Sequence, residues 1–498
     1  MKLKKLFNLT NEQVKFGEIE IDNIQIDSRR CNEKSIFVCI KGYVTDGHKY
    51  IPQAIANGTK AFLIQDDNCE KPQCQESVYM LVPDTRAAIG PLCSILYDDP
   101  SSKLSLIGIT GTKGKTTTSY LLRSIYTHAQ IKCGLIGTMF NIIGDEKIPA
   151  VRTTPEACDI QPMLCSMLEC GSKACVMEVS SQGLALCRVG GLKFKTAMFT
   201  NLSPDHIGEN EHANMEEYAL AKAKLFTMCK NAIINIDNDY SEIMMNSARN
   251  SKEEVMIYTL STNTDKCADF TAINIQKHPD RVEYDVLKHP ENKILCHIVV
   301  PIPGLFTVYN SLTAFIAAYI EDVDVDKICQ GLATVFVPGK AENVPTNSDF
   351  SVLIDYAHNP DSIANIIDTV KEYAKRTVIL FGCGGDRNRP RALMGKTAGE
   401  HADFTIITSD NPRSEDPESI VRDIEAGIKE TQGKYVCIVD RRLAIEYAIC
   451  NAQPGDVIIL AGKGHETEQI FKDYTVHFDE RQVVAQALEK RKINDNNA

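Results

Sequence analysis

At 498 residues the chain exceeds the size at which one hydrophobic core keeps growing, so about two to four domains are expected. With 43% hydrophobic and 24% charged residues and no low-complexity tract, it has a globular composition. A formal net charge of −12 argues against a general nucleic-acid or anionic-membrane binder, while leaving room for anionic small molecules held by local sites.

The N-terminus, Met1-Lys2-Leu3-Lys4-Lys5-Leu6-Phe7, starts basic but runs into Asn8, Thr10, Asn11 and Glu12, so no apolar signal segment follows. No stretch is apolar enough, over sufficient length, to span a bilayer. The 18 cysteines include no CxxC pair and no Cys/His cluster with zinc spacing. Many lie inside apolar runs, as in Val38-Cys39-Ile40 and Val436-Cys437-Ile438, which suits small buried residues in a reducing compartment. A cytoplasmic location is the expectation.

The first hundred residues carry short mixed elements and end at Asp98-Asp99-Pro100-Ser101-Ser102, which reads as a linker. From there, apolar β-branched runs alternate with helical patterns, the mark of α/β units with parallel sheets. Residues 104–110, 174–179, 196–202 and 232–236 form one strand series. Residues 351–356, 377–381, 404–408, 435–439 and 456–460 form a second, with the break near Val337-Pro338-Gly339. The expected division is 1–102, 103–337 and 338–498. The middle part carries a P-loop ATPase-type parallel sheet and the last part is Rossmann-like. Ligands in such sheets sit beyond the carboxyl ends of the strands, where the chemistry-bearing residues cluster.

The first such end is Gly108-Ile109-Thr110-Gly111-Thr112-Lys113-Gly114-Lys115-Thr116-Thr117, opening a helix over residues 117–126. Glycines let backbone N–H groups wrap a phosphate, Lys115 reaches the outer phosphates, and the Thr116 hydroxyl suits Mg²⁺. The glycines fall at 108, 111 and 114, which departs from the general P-loop spacing. Glu178 ends the next strand, and Asp205-His206 follows the one after, so a carboxylate and an imidazole can serve metal ions beside the phosphates. Lys222 falls on an apolar stripe with Met215, Tyr218, Leu225, Phe226 and Cys229, whereas Lys224 does not. A buried amine there needs a partner or a changed charge; a side chain snorkelling outward is the other reading, and the sequence leaves both open.

The second series ends in Asp355-Tyr356-Ala357-His358-Asn359-Pro360, Gly382-Cys383-Gly384-Gly385-Asp386-Arg387, Asp410-Asn411-Pro412-Arg413 and Gly462-Lys463-Gly464-His465-Glu466. The glycines at 382–385 do not satisfy GxGxxG. Arg387, Arg413 and Glu466 instead suit a small molecule bearing both a carboxylate and an amine.

Taken together, these segments resemble the Mur ligase family over essentially the whole chain. The resemblance is carried by Asp27-Ser28-Arg29, Gly108–Thr117, Thr153-Thr154-Pro155, Met177-Glu178-Val179-Ser180-Ser181, Asp205-His206, Ala221-Lys222, Asp355–Pro360 and Asp410–Arg413. It implies an ATP- and Mg²⁺-dependent amide ligase that joins meso-diaminopimelate to UDP-MurNAc-L-Ala-D-Glu through an acyl phosphate. It further implies a monomer with no nucleic-acid or membrane partner. Ser28 would sit at the sugar nucleotide, and Thr153, Thr154, Ser180 and Arg188 at the muramoyl dipeptide. Gly111–Thr117, Asn310 and His358 would take ATP. Thr116, Glu178, His206 and a carbamylated Lys222 would hold metal, with Lys115, Lys222, His206 and Glu178 serving catalysis. Arg387, Asp410, Asn411, Pro412, Arg413, Gly462 and Glu466 would bind the amino acid. Three positions depart from the family pattern: Leu186 stands for a glutamine, Lys340 for an arginine, and residues 208–212 differ. A related ligase using L-lysine or another amino acid, and a nucleotide-binding regulator without ligase activity, are the alternatives.

Overall fold

The computed structural model describes the chain apart from residues 43–44, 70, 73–75, 206, 209–210, 388 and 498, and apart from the side chains of 494–497. His206 therefore lies outside the described residues. Two compact units emerge. The first is built from residues 1–273, 286–296 and 309–331, the second from 274–285, 297–308 and 332–498.

The first unit opens with a four-stranded parallel sheet, β1 (Asn23–Gln25), β2 (Ser35–Val38), β3 (Ala61–Ile64) and β4 (Val78–Leu81), in that order. The stretch read as a linker is instead a packed turn. Asp98 and Asp99 adopt positive φ, Pro100–Lys103 forms a 3-10 turn, and the Ser101 hydroxyl, 1% exposed, accepts from Lys193 N at 3.1 Å. Beyond it run β5 (Ser105–Thr110), β6 (Cys133–Ile136), β7 (Phe140–Ile143), β8 (Glu146–Pro149), β9 (Ala174–Glu178), β10 (Phe194–Phe199), β11 (Cys229–Asn235) and β12 (Met256–Ser261). Their spatial order is β12-β11-β10-β5-β9-β6-β7-β8, parallel except for the β6–β7–β8 meander. The central strands are buried along nearly their whole length, which is why they read as unbroken apolar runs rather than alternating ones. Gly108 in β5 is required by packing: a Cβ there would lie 2.8 Å from the Phe194 ring.

Helix Ala157–Glu169 joins the two layers of this unit. Ala157 and Cys158 enter the core of the first sheet, while Ile160, Leu164 and Met167 enter that of the larger one. Gly90, in helix Thr85–Leu96, also meets Gly190 and Gly191 so closely that a side chain at residue 90 would run into the Gly190 backbone. Strands β13 (Phe270–Lys277), β14 (Val282–Lys288) and β15 (Lys293–Val300) carry three of the chain's five passes between the units, and helices Leu305–Tyr319 and Val325–Ala333 carry the other two.

The second unit is a six-stranded sheet of β16 (Glu342–Val344), β17 (Ser351–Asp355), β18 (Arg376–Phe381), β19 (Phe404–Ile407), β20 (Tyr435–Cys437) and β21 (Asp456–Ala461). The order is β16-β17-β21-β18-β19-β20, with only β16 antiparallel. Helices follow the strands with the same local device. Asn359, Asp416 and Asp440 each accept a first-turn N–H, and Pro360 and Pro417 open their helices where a missing N–H costs nothing. A short hairpin, β22 (Glu468–Ile470) with β23 (Thr475–His477), follows β21. The fold class is α/β with parallel-dominated sheets, as the alternating pattern implies. Among the described residues no helix is long and apolar enough to cross a membrane.

One buried ion pair braces the second unit. Arg441 and Glu480 are both fully buried and meet at 2.7 Å. The guanidinium also donates to Ser409 O at 3.3 Å and Ala461 O at 2.8 Å, fastening the loop after β19 to the end of β21. Burial pushes the Glu480 carboxyl above its usual range, against the pull of Arg441. Removing the cation leaves that carboxylate and two strand-end carbonyls unmatched. Arg441→Met should therefore cost about 3–5 kcal/mol of stability in urea denaturation; a loss under about 1 kcal/mol would show that the brace carries no weight.

Candidate active site

In the first unit the carboxyl ends of β5, β9 and β10 meet at the glycine-rich loop. Gly111 (φ +154°) and Gly114 (φ +87°) take backbone conformations that side chains rarely adopt. A Cβ at Gly111 would strike the Thr200 hydroxyl, and one at Gly114 the Asn310 amide, so the loop has no room for anything larger. Helix Lys115–His128 starts here, two residues earlier than the pattern suggests. Unlike the helices opened by Asn359, Asp416 and Asp440, it has no side-chain cap at its first turn, beside Lys115. This is an anion cradle.

Strand β10 ends at Phe199 rather than near 202 because its next residues turn to hold the loop. Thr200 Oγ1 and Asn201 Nδ2 donate to Lys113 O at 2.7 and 3.1 Å, and Lys113 N donates to Asn201 Oδ1 at 3.0 Å. Lys115 Nζ folds back onto Gly111 O (2.8 Å) and Thr112 O (3.0 Å). Lys113 Nζ lies 3.3 Å from Asp205. Thr112 reaches the Tyr218 hydroxyl at 3.1 Å, and Thr117 is buried at the start of the helix.

Lys222 is buried, 1% exposed, which decides between the two readings of its stripe. Its ammonium donates to Gly111 O at 2.9 Å and lies 4.4 Å from the centre of the Tyr218 ring. Burial, and then the neighbouring Lys115, hold its pKa well below 10.5; Asp205 opposes them. Burial also pushes the Tyr218 phenol up to about 12.

Glu178, 1% exposed, is the junction of this site. One oxygen accepts from Thr116 Oγ1 at 2.9 Å and Thr138 Oγ1 at 2.8 Å, and the other from Thr138 N at 3.1 Å. Its backbone carbonyl accepts from Thr154 Oγ1 at 3.0 Å, and the same hydroxyl oxygen meets Ser180 Oγ at 3.1 Å. Thr153 touches Thr138 through the two hydroxyls at 3.1 Å. Arg188 donates to Thr154 O at 3.3 Å and pairs with Glu156 at 3.0 Å, both side chains mostly buried. Thr116, Thr153, Thr154, Glu178, Ser180 and Arg188 therefore form one connected set. Ser28 stands apart in the first layer, bonded to Gln53 and Asn57. Leu186 caps the short helix Ser181–Ala185.

Among the described residues no group of three or more His, Cys, Asp or Glu is arranged to hold a metal. Thr116 and Glu178 nonetheless place a hydroxyl and a carboxylate side by side at the cradle. Such hard oxygens suit a Mg²⁺ that keeps waters and takes its remaining ligands from phosphates.

The second unit gathers the other predicted residues. Gly384 sits between the two arginines: a Cβ on it would lie 2.9 Å from Arg413 Nη1 and 3.9 Å from the Arg387 stem. Arg413 has φ +51°, and its guanidinium donates to Gly385 O at 3.1 Å. The loop around it is clipped to the hairpin, with Arg413 N donating to Ile470 O, Ile470 N to Asn411 Oδ1, and Gln469 Nε2 to Asp410 O at 2.7 Å. Pro412 is buried between these clips. Glu466 accepts from Asn411 Nδ2 at 2.8 Å, and Gly462 (φ +109°) passes beside the Asp410 carboxylate. Elsewhere in this unit Arg389 donates to His358 O at 2.7 Å, and Lys340 lies 5.3 Å from the centre of the Tyr356 ring. Thr138 and Glu156 went unnoticed in the sequence, and Tyr218 and Lys463 stood in noted segments without a role of their own.

The comparisons with known proteins fall on this same frame. The chain matches the Mur ligase family catalytic domain over residues 20–94, the Mur ligase middle domain over 109–318, and the Mur ligase glutamate ligase domain over 341–464. A relative from Caldanaerobacter subterraneus subsp. tengcongensis is 45% identical over 98% of this chain and 99% of its own. It is a UDP-N-acetylmuramoyl-L-alanyl-D-glutamate--2,6-diaminopimelate ligase.

The chain belongs to the Mur ligase family. A second relative of the same name, from Clostridium perfringens, is 42% identical over 98% of this chain and 100% of its own. A solved diaminopimelate ligase structure, 28% identical, covers 99% of both chains with a TM-score of 0.73. As a Mur ligase the chain is an ATP-dependent ligase.

The burial of Lys222 has a measurable consequence in this ligase. Between its lowered folded pKa and 10.5, the unfolded chain holds a proton at residue 222 that the folded chain lacks, so stability climbs with pH across that window. Lys222→Met should lack this climb and be the more stable protein at neutral pH, in buffer free of carbon dioxide, nucleotide and magnesium. Parallel stability–pH curves for the two proteins would mean that the amine is not held neutral.

Proposed function

We propose that this Mur ligase joins meso-2,6-diaminopimelate to UDP-MurNAc-L-Ala-D-Glu at the expense of ATP, in the cytoplasm, with residues 1–102, 103–337 and 338–498 serving the sugar nucleotide, ATP and the amino acid. The observation that carries this reading is the edge of the second unit. The Arg413 guanidinium and the stem of Arg387 lie beside Gly384, and Asn411 bonds to the Glu466 carboxylate, a set suited to an amino acid bearing both a carboxylate and an ammonium at its far end. The relatives of that name support it.

A carboxylate resists attack by an amine until it carries a leaving group. Phosphoryl transfer from ATP to the dipeptide carboxylate provides one. The amine of diaminopimelate then adds to the acyl phosphate carbon, the C–O bond to phosphate breaks, and the nitrogen sheds a proton, leaving the amide. Gly111, Thr112, Lys113, Gly114 and Thr117 wrap the phosphates, with Asn310 and His358 at the rest of the nucleotide. Lys115, freed from the loop carbonyls, neutralises the transferring group. Thr153, Thr154, Ser180 and Arg188 orient the muramoyl dipeptide, Glu156 aims Arg188, and Ser28 meets the uridine nucleotide.

Thr116 and Glu178 would hold one Mg²⁺, and His206 with a carbamylated Lys222 a second; the ions supply charge neutralisation at the phosphates. Burial lowers the Lys222 pKa and so favours the neutral amine that adds to CO₂ with loss of a proton, which would convert a costly buried amine into an anionic ligand. Asp410, Asn411, Pro412, Arg413, Arg387, Gly462 and Glu466 receive the amino acid.

Phosphate release should require all three substrates and should match amide formed by mass spectrometry; release of phosphate without amide would point to a nucleotide-driven regulator. Lys115→Ala should lower turnover at least about 100-fold while leaving the thermal transition in place.

Arg413 sets the amino-acid choice. With L-lysine in the site its guanidinium loses a carboxylate partner, a cost of about 2–5 kcal/mol, so wild type should prefer meso-diaminopimelate by roughly 30-fold to several thousand-fold. Arg413→Ala should raise KM for meso-diaminopimelate and narrow that preference. Equal preference in wild type and variant would remove Arg413 from the specificity site.

A further inference from the structure

The amino-acid loops contain a cation to which the reading above gives no role. Lys463 follows β21 and is wholly buried. Its ammonium donates to Asn411 Oδ1 at 3.1 Å, Asp410 Oδ1 at 3.4 Å and Glu466 Oε2 at 3.4 Å. An ammonium has three N–H donors, and here three acceptors from two loops take them all. A charge held away from water at full burial is tolerated only with such matching.

The arrangement constrains its neighbours. An Asn amide has an accepting side and a donating side. In Asn411 the Oδ1 takes Lys463 Nζ and Ile470 N, so Nδ2 is turned onto Glu466 Oε2 at 2.8 Å. Glu466 Oε2 therefore carries two donors, Lys463 and Asn411. Its other oxygen, Oε1, has no hydrogen bond among the described residues, and the side chain is 28% exposed. One oxygen is anchored and one is presented.

The charges agree with this division. Lys463 faces two carboxylates, Asp410 and Glu466, so the cluster retains one negative charge, the complement of one ligand ammonium. Without the lysine, two carboxylates would converge with no cation between them. Their repulsion would then turn one of them away.

We propose that Lys463 is the positioning residue of the amino-acid site: it anchors one oxygen of Glu466 and turns Asn411 so that the other oxygen reads the distal ammonium of the incoming diamino acid. This rests on the reading of these loops as the amino-acid site. Lys463 touches no substrate and acts through Glu466.

The test compares meso-diaminopimelate with L-2-aminopimelate, which keeps the distal carboxylate but lacks the distal amine. Steady-state kinetics are run on the full-length wild type and on K463M, with ATP and UDP-MurNAc-L-Ala-D-Glu. Wild type should prefer the diamino acid. In K463M its KM should rise about 30-fold, while the KM values for aminopimelate and ATP stay within about threefold, so that the preference collapses. A purely structural lysine would instead raise all the KM values together or lower kcat for both compounds, and either pattern overturns the proposal. So does an unchanged preference in K463M. Should K463M fail to fold, K463Q, which keeps a donor for Asn411 but no charge, carries the same comparison: a reduced preference supports the role and an unchanged one overturns it. Wild type that ligates neither compound overturns the amino-acid-site reading itself. Wild type that ligates both without preference overturns only the role given to Glu466 and Lys463.

Discussion

A carboxylate buried at a strand end must have its oxygens matched, and the first unit is arranged around the way Glu178 meets that demand. Its side chain gathers Thr116 from the phosphate loop and Thr138 from the end of β6, while its carbonyl takes Thr154. Residues distant in the chain are thereby brought to a single point. The hydroxyl suited to metal, the loop that wraps phosphate and the threonines assigned to the acceptor share one hydrogen-bonded set. Phosphoryl transfer requires the donor and acceptor oxygens to be held in line, and a common anchor provides that registration without depending on a long flexible side chain.

Positive charge accumulates around this anchor, and a neighbouring helix end adds to it. Lys115 and Lys222 both turn onto Gly111 O, and their mutual repulsion adds to the burial that drives Lys222 toward its neutral form. The helix opening beside them lacks the side-chain cap that Asn359, Asp416 and Asp440 supply elsewhere. Each omission raises the free energy of the empty loop relative to one holding a polyanion. The site is thus organised for a ligand more highly charged than anything the chain itself offers.

Much of this was readable from residue order. The strand ends, the loop at 108–117 and Glu178 follow from short apolar runs with strong periods, whereas the helical stripe raised the question of Lys222 without deciding between burial and snorkelling. Thr138 was not readable: β6 is four residues long, Cys-Gly-Leu-Ile, too short to stand out as a strand with a functional end. Glu156 escaped because its importance is a pairing with Arg188, 32 positions later, that no local pattern announces. Lys463 lay within a segment that attracted notice for its glycines and Glu466, and nothing in the spacing says that a lysine there is buried. The packed turn at 98–103 was misread for the opposite reason. Asp-Asp-Pro-Ser-Ser has the composition of a tether, but two aspartates at positive φ turn it back and the buried Ser101 hydroxyl fastens it to Lys193 N.

The brace beneath the loops proposed to take the amino acid bears on how such an enzyme can acquire new preferences. Arg441 grips the loops after β19 and β21 through carbonyl oxygens alone, those of Ser409 and Ala461. Main-chain atoms are the same whatever side chains follow, so these two grips do not depend on which side chains stand at 411–413 or 464–466, although the charges of Asp410 and Lys463 reach the Glu480 carboxyl. Exchanges at Arg387 or Arg413 can then alter which side-chain terminus is welcomed without loosening the platform that displays them. Retargeting by a few substitutions, with the ATP-handling half untouched, is the evolutionary freedom that this division of labour confers.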